Sequence, residues 1–458
     1  MNQDIRSETV GNAIVQSSLG SFFAKASGVL SSLIIFRSLD PATYGVWRLA
    51  LALTALLLGL LTALSAIVAV EAIRSLPEAG QKTGLILWRG FVRITLLCAV
   101  LLCGLGIVFV RPVAAFLKVP DTRLVVLALI LVFFWLLKSH VMTWFTISYQ
   151  FDKQLRLQVI ESVAYVSLLA FFLLVRDDGA LGLGLANVFV SGLISVVSAP
   201  LLLKGLKRCP RSSLKQEVVA LLRLLRQHGK WALVSDILKD YLDAGRIWLL
   251  GFFLGPAAVG LYGLADSLFG HIISLINVGP AISASLPRFV SDRERLTAAM
   301  AHAARVGSLV SCGVFVFSWV TVPFILPWVF PKFIPAIPLY LIISGALLAG
   351  GVGVVLGTMY PALRLQKTLF SLLMIRVILS FGFLYVFLPR IGIWALGIEL
   401  LLGNYLFVWM RFHLLRKTLS IHKGFFAFCA PRVGDLQEVY GFLHKKLAHS
   451  RVGAVLKM

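Results

Sequence analysis

The chain has 458 residues, 59% of them hydrophobic, with a mean hydropathy of +0.92 and a formal net charge of +23. A soluble domain is ordinarily about half apolar, so this composition excludes one and points to helices in a bilayer. The charge does not call for nucleic acid. Lys and Arg gather in cytoplasmic loops and against anionic headgroups, where each is worth on the order of 1 kcal/mol.

Runs of roughly twenty apolar residues, the length a hydrocarbon core requires, are predicted as helices near 12–36, 46–70, 87–110, 123–145, 157–175, 181–203, 231–253, 259–286, 306–329, 336–360, 369–388 and 391–413. They make about twelve transmembrane helices, six in each half. Runs that carry Gly and Ser without strict alternation must satisfy their backbone internally, as helices and not as barrel strands. Lys25 and several Ser interrupt the first run, so it is expected to persist as a helix and not to be a cleaved signal. With the N-terminus inside, cytoplasmic connections collect Arg74, Lys82, Arg89, Lys153, Arg156, the cluster from Lys204 to Lys230, Arg288, Arg293, Arg295, Arg364 and Lys367. The other face holds Arg37, Arg111, Lys118, Arg123, Arg176, Lys332 and Arg390. A bias of roughly four to one, tail included, places both termini in the cytoplasm.

The predicted organisation is a six-helix bundle over 1–203, a basic amphipathic cytoplasmic linker over 204–230, a second six-helix bundle over 231–415 and a basic cytoplasmic tail over 416–458. Within the linker, Ser213 and Gln216 form a capping box ahead of Val218, Val219, Leu221, Leu222 and Leu225, a pattern for a tether on the inner leaflet. A second surface helix is expected after Gly434, capped by Asp435 and Glu438 and ending in Lys445 and Lys446. The five cysteines are odd in number and show no CxxC pairing, so neither disulfides nor zinc are expected.

The two halves are copies. Leu39–Trp47 reads LDPATYGVW and Leu254–Tyr262 reads LGPAAVGLY, each joining one apolar segment to the next. A fainter echo pairs Ser75-Leu76-Pro77 with Ser285-Leu286-Pro287. Repeated membrane bundles point to an alternating-access transporter, whose halves enclose a site near mid-membrane and rock around it.

Charges inside the apolar segments are candidates for that site. On the seventh segment Asp236, Lys239, Asp240, Asp243 and Arg246 share an arc of about 120° at about 100° per residue. Lipid would penalise each central charge by ~2.5–3.5 kcal/mol, so the stripe must face other helices or water. Lys25, Arg48, Lys138, Lys239, Arg246 and Arg376 come from both halves and are assigned to a cationic substrate cavity, because ammonium and guanidinium groups suit phosphate oxygens. Asp236, Asp240, Asp243, Glu161 and Glu399 are candidates for coupling transport to H⁺ or Na⁺. A simpler alternative is that the ions lock helices together, Lys239 with Asp236 or Asp243, and Glu161 or Glu399 with Lys25 or Arg376. Asp266 is a further buried candidate; His140 and His271 fit hydrogen-bonded interface residues better than a proton relay. Asp177-Asp178 reads as a solvated turn. No nucleotide-binding, zinc-protease or acyl-enzyme motif is present and every outer loop is short, so the chain is not expected to be an enzyme, to need a cofactor or to bind a metal.

Residues Arg37-Ser38-Leu39-Asp40-Pro41-Ala42-Thr43-Tyr44-Gly45 resemble the Arg-x-Leu-Gly-Pro-x-x-Tyr-Gly signature of Wzx-type polysaccharide flippases, within the multidrug, oligosaccharidyl-lipid and polysaccharide exporter superfamily. The resemblance runs from about residue 10 to 415, and Asp40 departs from the signature's Gly. It implies a V-shaped pair of bundles in the bacterial inner membrane that moves an undecaprenyl-diphosphate-linked oligosaccharide from the inner to the outer leaflet. Membrane lipids and other polysaccharide-assembly proteins would be its partners. A cation-coupled exporter of drugs or metabolites shares the superfamily plan, but the excess of intramembrane Lys and Arg favours an anionic cargo. A scaffold for glycan enzymes would need no ionic interior.

Overall fold

The computed structural model describes residues 3–75, 83–148, 150–210, 212–226, 230–274, 292–363, 365–421, 424–430, 432, 434 and 437. The echo over 76–77 and 285–287, the tail helix after Gly434, and Lys82, Arg211, Arg288 and Arg364 lie outside the described residues. Among those described, the chain is helical without a strand. Its helices are α1 (Gln3–Ser38), α2 (Pro41–Thr62), α3 (Ser65–Ser75), α4 (Thr83–Val108), α5 (Val110–Phe116), α6 (Thr122–Ile147), α7 (Phe151–Ala170), α8 (Gly179–Arg208), α9 (Leu214–Leu224), α10 (Lys230–Leu254), α11 (Pro256–Ile273), α12 (Arg293–Val329), α13 (Ala336–Ser344), α14 (Leu347–Ala362), α15 (Gln366–Ile391), α16 (Trp394–Leu419) and α17 (Phe425–Cys429).

Over the described residues, each apolar segment of the sequence is largely helical. Eight helices among the described residues are long and apolar enough to cross a membrane, or nine if α13 and α14, bent by 43° at their junction, form one span. The remaining segments correspond to α1, α10 and α11. α10 misses the composition of an apolar span because of its six charges, and α11 runs into residues outside the described set.

Local chemistry sets the helix starts. Asp40 caps α2, its carboxylate accepting the Thr43 N–H at 2.9 Å and the Thr43 hydroxyl at 2.7 Å, with Pro41 opening the helix. Burial pushes the Asp40 carboxyl up, but the hydrogen bonds from Thr43 and Ala42 outweigh it and hold the group below the usual carboxylate range. The second copy turns differently: Gly255 takes the corresponding place at φ +82°, where a side chain is strained. Asp40, at φ −86°, needs no glycine and supplies a cap instead, which accounts for the departure from the signature.

The chain falls into two compact units. The first holds residues 1–264 with 329–334 and 385–393. Within it α6 packs on α2, α3, α4 and α8, and α10 packs along α2. That contact joins α10 to the helices of the first copy, so the compact units and the sequence repeat divide the chain at different places. Trp88 and Trp144, with ring centroids 4.7 Å apart, anchor a core that includes Val68, Phe91, Phe145 and Leu221. The two copies of the nonapeptide meet inside this unit. A Cβ on Gly45 would lie 1.8 Å from the Pro256 carbonyl oxygen, and a Cβ on Gly260 would lie 1.8 Å from that of Pro41. The contact is reciprocal, the geometry of an internal two-fold, and it explains why Pro and Gly recur at the same spacing in both copies.

The second unit holds residues 265–328, 335–384 and 394–458. Its core gathers Met300, Tyr360, Phe412 and Phe428 from α12, α14, α16 and α17. α12 and α14 cross at Gly307 and Gly351, where a Cβ on Gly351 would lie 2.2 Å from the Gly307 oxygen and the Ser311 hydroxyl accepts the Gly351 N–H at 2.9 Å. Small residues let membrane helices approach backbone to backbone.

Candidate functional site

In the first unit the ionic stripe lies along α10. Asp236, Lys239 and Asp243 are exposed, one turn apart on one face, while Asp240 is half-buried against α2. A Cβ on Gly59 of α2 would lie 2.0 Å from the Asp240 carboxylate, so the glycine makes room for it. Arg246 is buried: its side chain is 3% exposed and its Nη1 donates to Asp243 Oδ1 at 3.0 Å. Lys118, after α5, donates its ammonium to the Phe252 carbonyl at 2.6 Å near the end of α10 and covers the Phe252 ring at 4.8 Å. A cation at a helix C-terminus satisfies a carbonyl left without an intrahelical partner.

Lys138 Nζ lies 2.5 Å from Glu161 Oε1, so these two charges from α6 and α7 form a partly buried ion pair. Pairing of Glu161 with Lys25 is not what the structure shows; Lys25, read as buried from its apolar surroundings in sequence, is exposed on α1. Arg48 is half-buried on α2, where a Cβ on Gly263 of α11 would lie 3.3 Å from its Nε. His140 is buried, its Nε2 2.8 Å from the Thr95 hydroxyl and its ring edge-on to Phe91, the bonding of an interface residue. His271 and Asp266 on α11 are half-buried.

In the second unit, α15 and α16 share a polar seam. Glu399 is buried and accepts the Ser380 hydroxyl at 2.5 Å. Arg376 Nη2 donates to Asn404 Oδ1 at 2.8 Å, and its guanidinium lies 4.9 Å from the Phe407 centroid. Arg411 covers the same ring at 4.0 Å. Sequence reasoning missed Arg411 because it falls near the end of the last apolar run, next to Arg416 and Lys417, and reads as part of the cytoplasmic charge.

A second missed group lies where the linker docks. Glu217 of α9 is fully buried: Arg93 Nη1 donates to its Oε1 at 2.9 Å, Arg89 Nε lies 3.6 Å from the same atom, and the Ser212 hydroxyl donates to it at 2.7 Å. The capping box of Ser213 and Gln216 is present, as its sequence predicted. The tether is more than a surface helix, however. Leu221 and Leu224 pack into the unit's core with Glu217, leaving Val219 and Leu222 exposed. Two arginines on α4 neutralise the acid, which lets this face dock. Burial pushes the adjacent Cys209 thiol up to about 11.

The model of the polysaccharide biosynthesis protein family matches residues 12–290. The chain belongs to that family. Its fold is shared with solved transporters: the lipid II flippase MurJ, in an inward closed conformation, superposes with a TM-score of 0.73 at 11% identity, over 88% of this chain and 87% of that one. An inward-facing multidrug resistance transporter of the MATE family gives 0.68 at 16% identity, over 89% and 98%. A transporter of the same superfamily from Pyrococcus furiosus, described as having a binding pocket of reverse polarity, gives 0.59 at 16% identity, over 89% and 94%. No curated relative matches. The family match supports the resemblance drawn from Arg37–Gly45, the protein is a multi-pass membrane protein, and the solved structures that share its fold are described as transporters and a flippase.

Proposed function

We propose that this family member is a flippase that moves an undecaprenyl-diphosphate-linked oligosaccharide from the inner to the outer leaflet of the bacterial cytoplasmic membrane by alternating access, for O-antigen, capsule or exopolysaccharide assembly. The observation that carries the reading is membership in a polysaccharide-biosynthesis family on a fold shared with a lipid II flippase. Charge supports it. The stripe of Asp236, Lys239 and Asp243 is exposed on α10, which we read as the seventh transmembrane segment, where lipid would penalise each charge by ~2.5–3.5 kcal/mol, so that face is read as meeting water. A wet wall bearing Lys239 replaces hydration that a diphosphate loses on leaving the headgroup region, with Arg246 buried behind it. Lys25, Arg48 and Arg376 supply cations at other stages of the crossing, and Lys138, held by Glu161, becomes available only when that pair opens. Release requires that binding stay weak, so movement of the bundles must change which cations meet the cargo.

Asp236, Asp240 and Asp243 are the groups we assign to coupling with H⁺ or Na⁺, Asp240 because it packs on α2 and so senses the α2–α10 contact. Glu161 and Glu399 serve first as partners of Lys138 and Ser380. A cation-coupled exporter of drugs or metabolites is the second reading, favoured by the likeness to the MATE transporter and by the three aspartates on one helix.

Depletion of the protein in its host separates the two. The flippase reading expects lipid-linked glycan to accumulate in the inner leaflet, rescued by wild type and at least tenfold less well by Arg246→Ala or Lys239→Ala. Unchanged surface glycan together with altered drug efflux supports the exporter.

A further inference from the structure

We infer that Arg376 and Arg411, stacked on Phe407, form a seat for the phosphate of a lipid headgroup, a reading that rests on the flippase assignment for its main occupant. Both guanidiniums approach one ring, at 4.9 and 4.0 Å from its centroid. Stacking leaves the planar edge of the Arg411 fork open to oxygen acceptors. Arg411 spends little of that capacity on protein: its Nη1 reaches the Gly353 carbonyl at a long 3.4 Å, its Nε is buried without a hydrogen-bond partner, and no carboxylate pairs with it among the described residues. Two half-buried cations on one apolar platform repel, and an anion between them would relieve that repulsion. An anion with several oxygens, as in a phosphate, accepts from both forks at once.

The surroundings are built to hold this geometry. Asn404 fixes Arg376 at 2.8 Å, and the Tyr360 hydroxyl donates to the Arg411 carbonyl at 2.9 Å, pinning the backbone there. Gly357 of α14 leaves space beside the guanidinium, since a Cβ would lie 3.1 Å from Arg411 Nη1. At 1.5 Å per residue, Arg376 lies about 15 Å along α15 from Gln366 and Arg411 about 12 Å along α16 from Leu419. Those ends carry Lys367, Arg416 and Lys417. The seat therefore lies one step deeper than the basic rim, where a headgroup leaving the inner leaflet first sheds water.

Native mass spectrometry of the full-length protein in nanodiscs tests this with two probes, undecaprenyl diphosphate and phosphatidylglycerol, against Arg411→Gln, Arg411→Lys and Arg376→Gln. Losing one charge-assisted fork should lower retention of a phosphate-bearing lipid about tenfold or more, with Arg411→Lys falling less. Thermal melting checks each variant, and Arg376→Gln carries the test if Arg411→Gln does not fold. Loss confined to undecaprenyl diphosphate makes the cargo the occupant. Loss confined to phosphatidylglycerol supports the seat with a bilayer lipid in it and counts against the flippase assignment instead. Undiminished retention of both probes by folded Arg411→Gln and Arg376→Gln overturns the seat, as does a wild type that retains neither above a neutral lipid.

Discussion

Lys138 and Glu161 show how one pair can serve both structure and transport. Each side chain keeps about a quarter of its exposure, so the pair is neither sealed nor fully solvated. Breaking a pair of this kind by removing one partner should cost about 1–3 kcal/mol, between the values for exposed and buried pairs. Lys138→Ala and Glu161→Ala are each expected to lower the melting temperature, and the double variant to recover part of the loss, which a double-mutant cycle in detergent would measure. Additive losses would mean that the two charges do not act as a pair. Arg246 differs, because its side chain is 3% exposed while Asp243 is 61% exposed. Arg246→Lys should keep folding and lose transport, since an ammonium cannot grip phosphate bidentately.

The α2–α11 crossing makes its own demand at the scale of elements. At Gly45 and Gly260 the opposing atoms are backbone carbonyl oxygens, which cannot turn aside as a side chain would. Gly45→Leu should part the two helices and cost roughly 3 kcal/mol or more, read as a fall in melting temperature. Substitution at Gly104, where a Cβ meets nothing, is the matched control. The docked linker gives a chemical readout. With its thiol raised to about 11 by burial, Cys209 is almost wholly protonated at pH 8 and should label slowly with a hydrophilic maleimide. Glu217→Ala leaves Arg89 and Arg93 without their acid, loosens α9 and should speed that labelling at least tenfold. An unchanged rate would show that α9 is held by Leu221 and Leu224 alone.

Much of the whole molecule was legible in the chain, because bilayer thickness, backbone satisfaction and a duplicated nonapeptide each constrain helices through sequence directly. The helical segments, the capping box and the family follow from such local signals. What sequence concealed depends on partners distant along the chain. Nothing in the spacing of Arg89 and Arg93 announces Glu217, more than a hundred residues on. Lys138 gave no sign of choosing Glu161 over other acids, and Arg411 hid among the basic residues that end α16. The repeat was visible, whereas the attachment of α10 to the first unit required its packing along α2.

The most direct measurement places the purified protein in liposomes with a short-chain polyprenyl-diphosphate oligosaccharide confined at first to one leaflet. A membrane-impermeant glycosidase then reads the fraction exposed on the other side. Time-dependent exposure that requires the protein and falls at least tenfold with Lys239→Ala or Arg246→Ala is the predicted result. Exposure at the rate of protein-free liposomes, from a preparation that still transports a cationic drug, would contradict it.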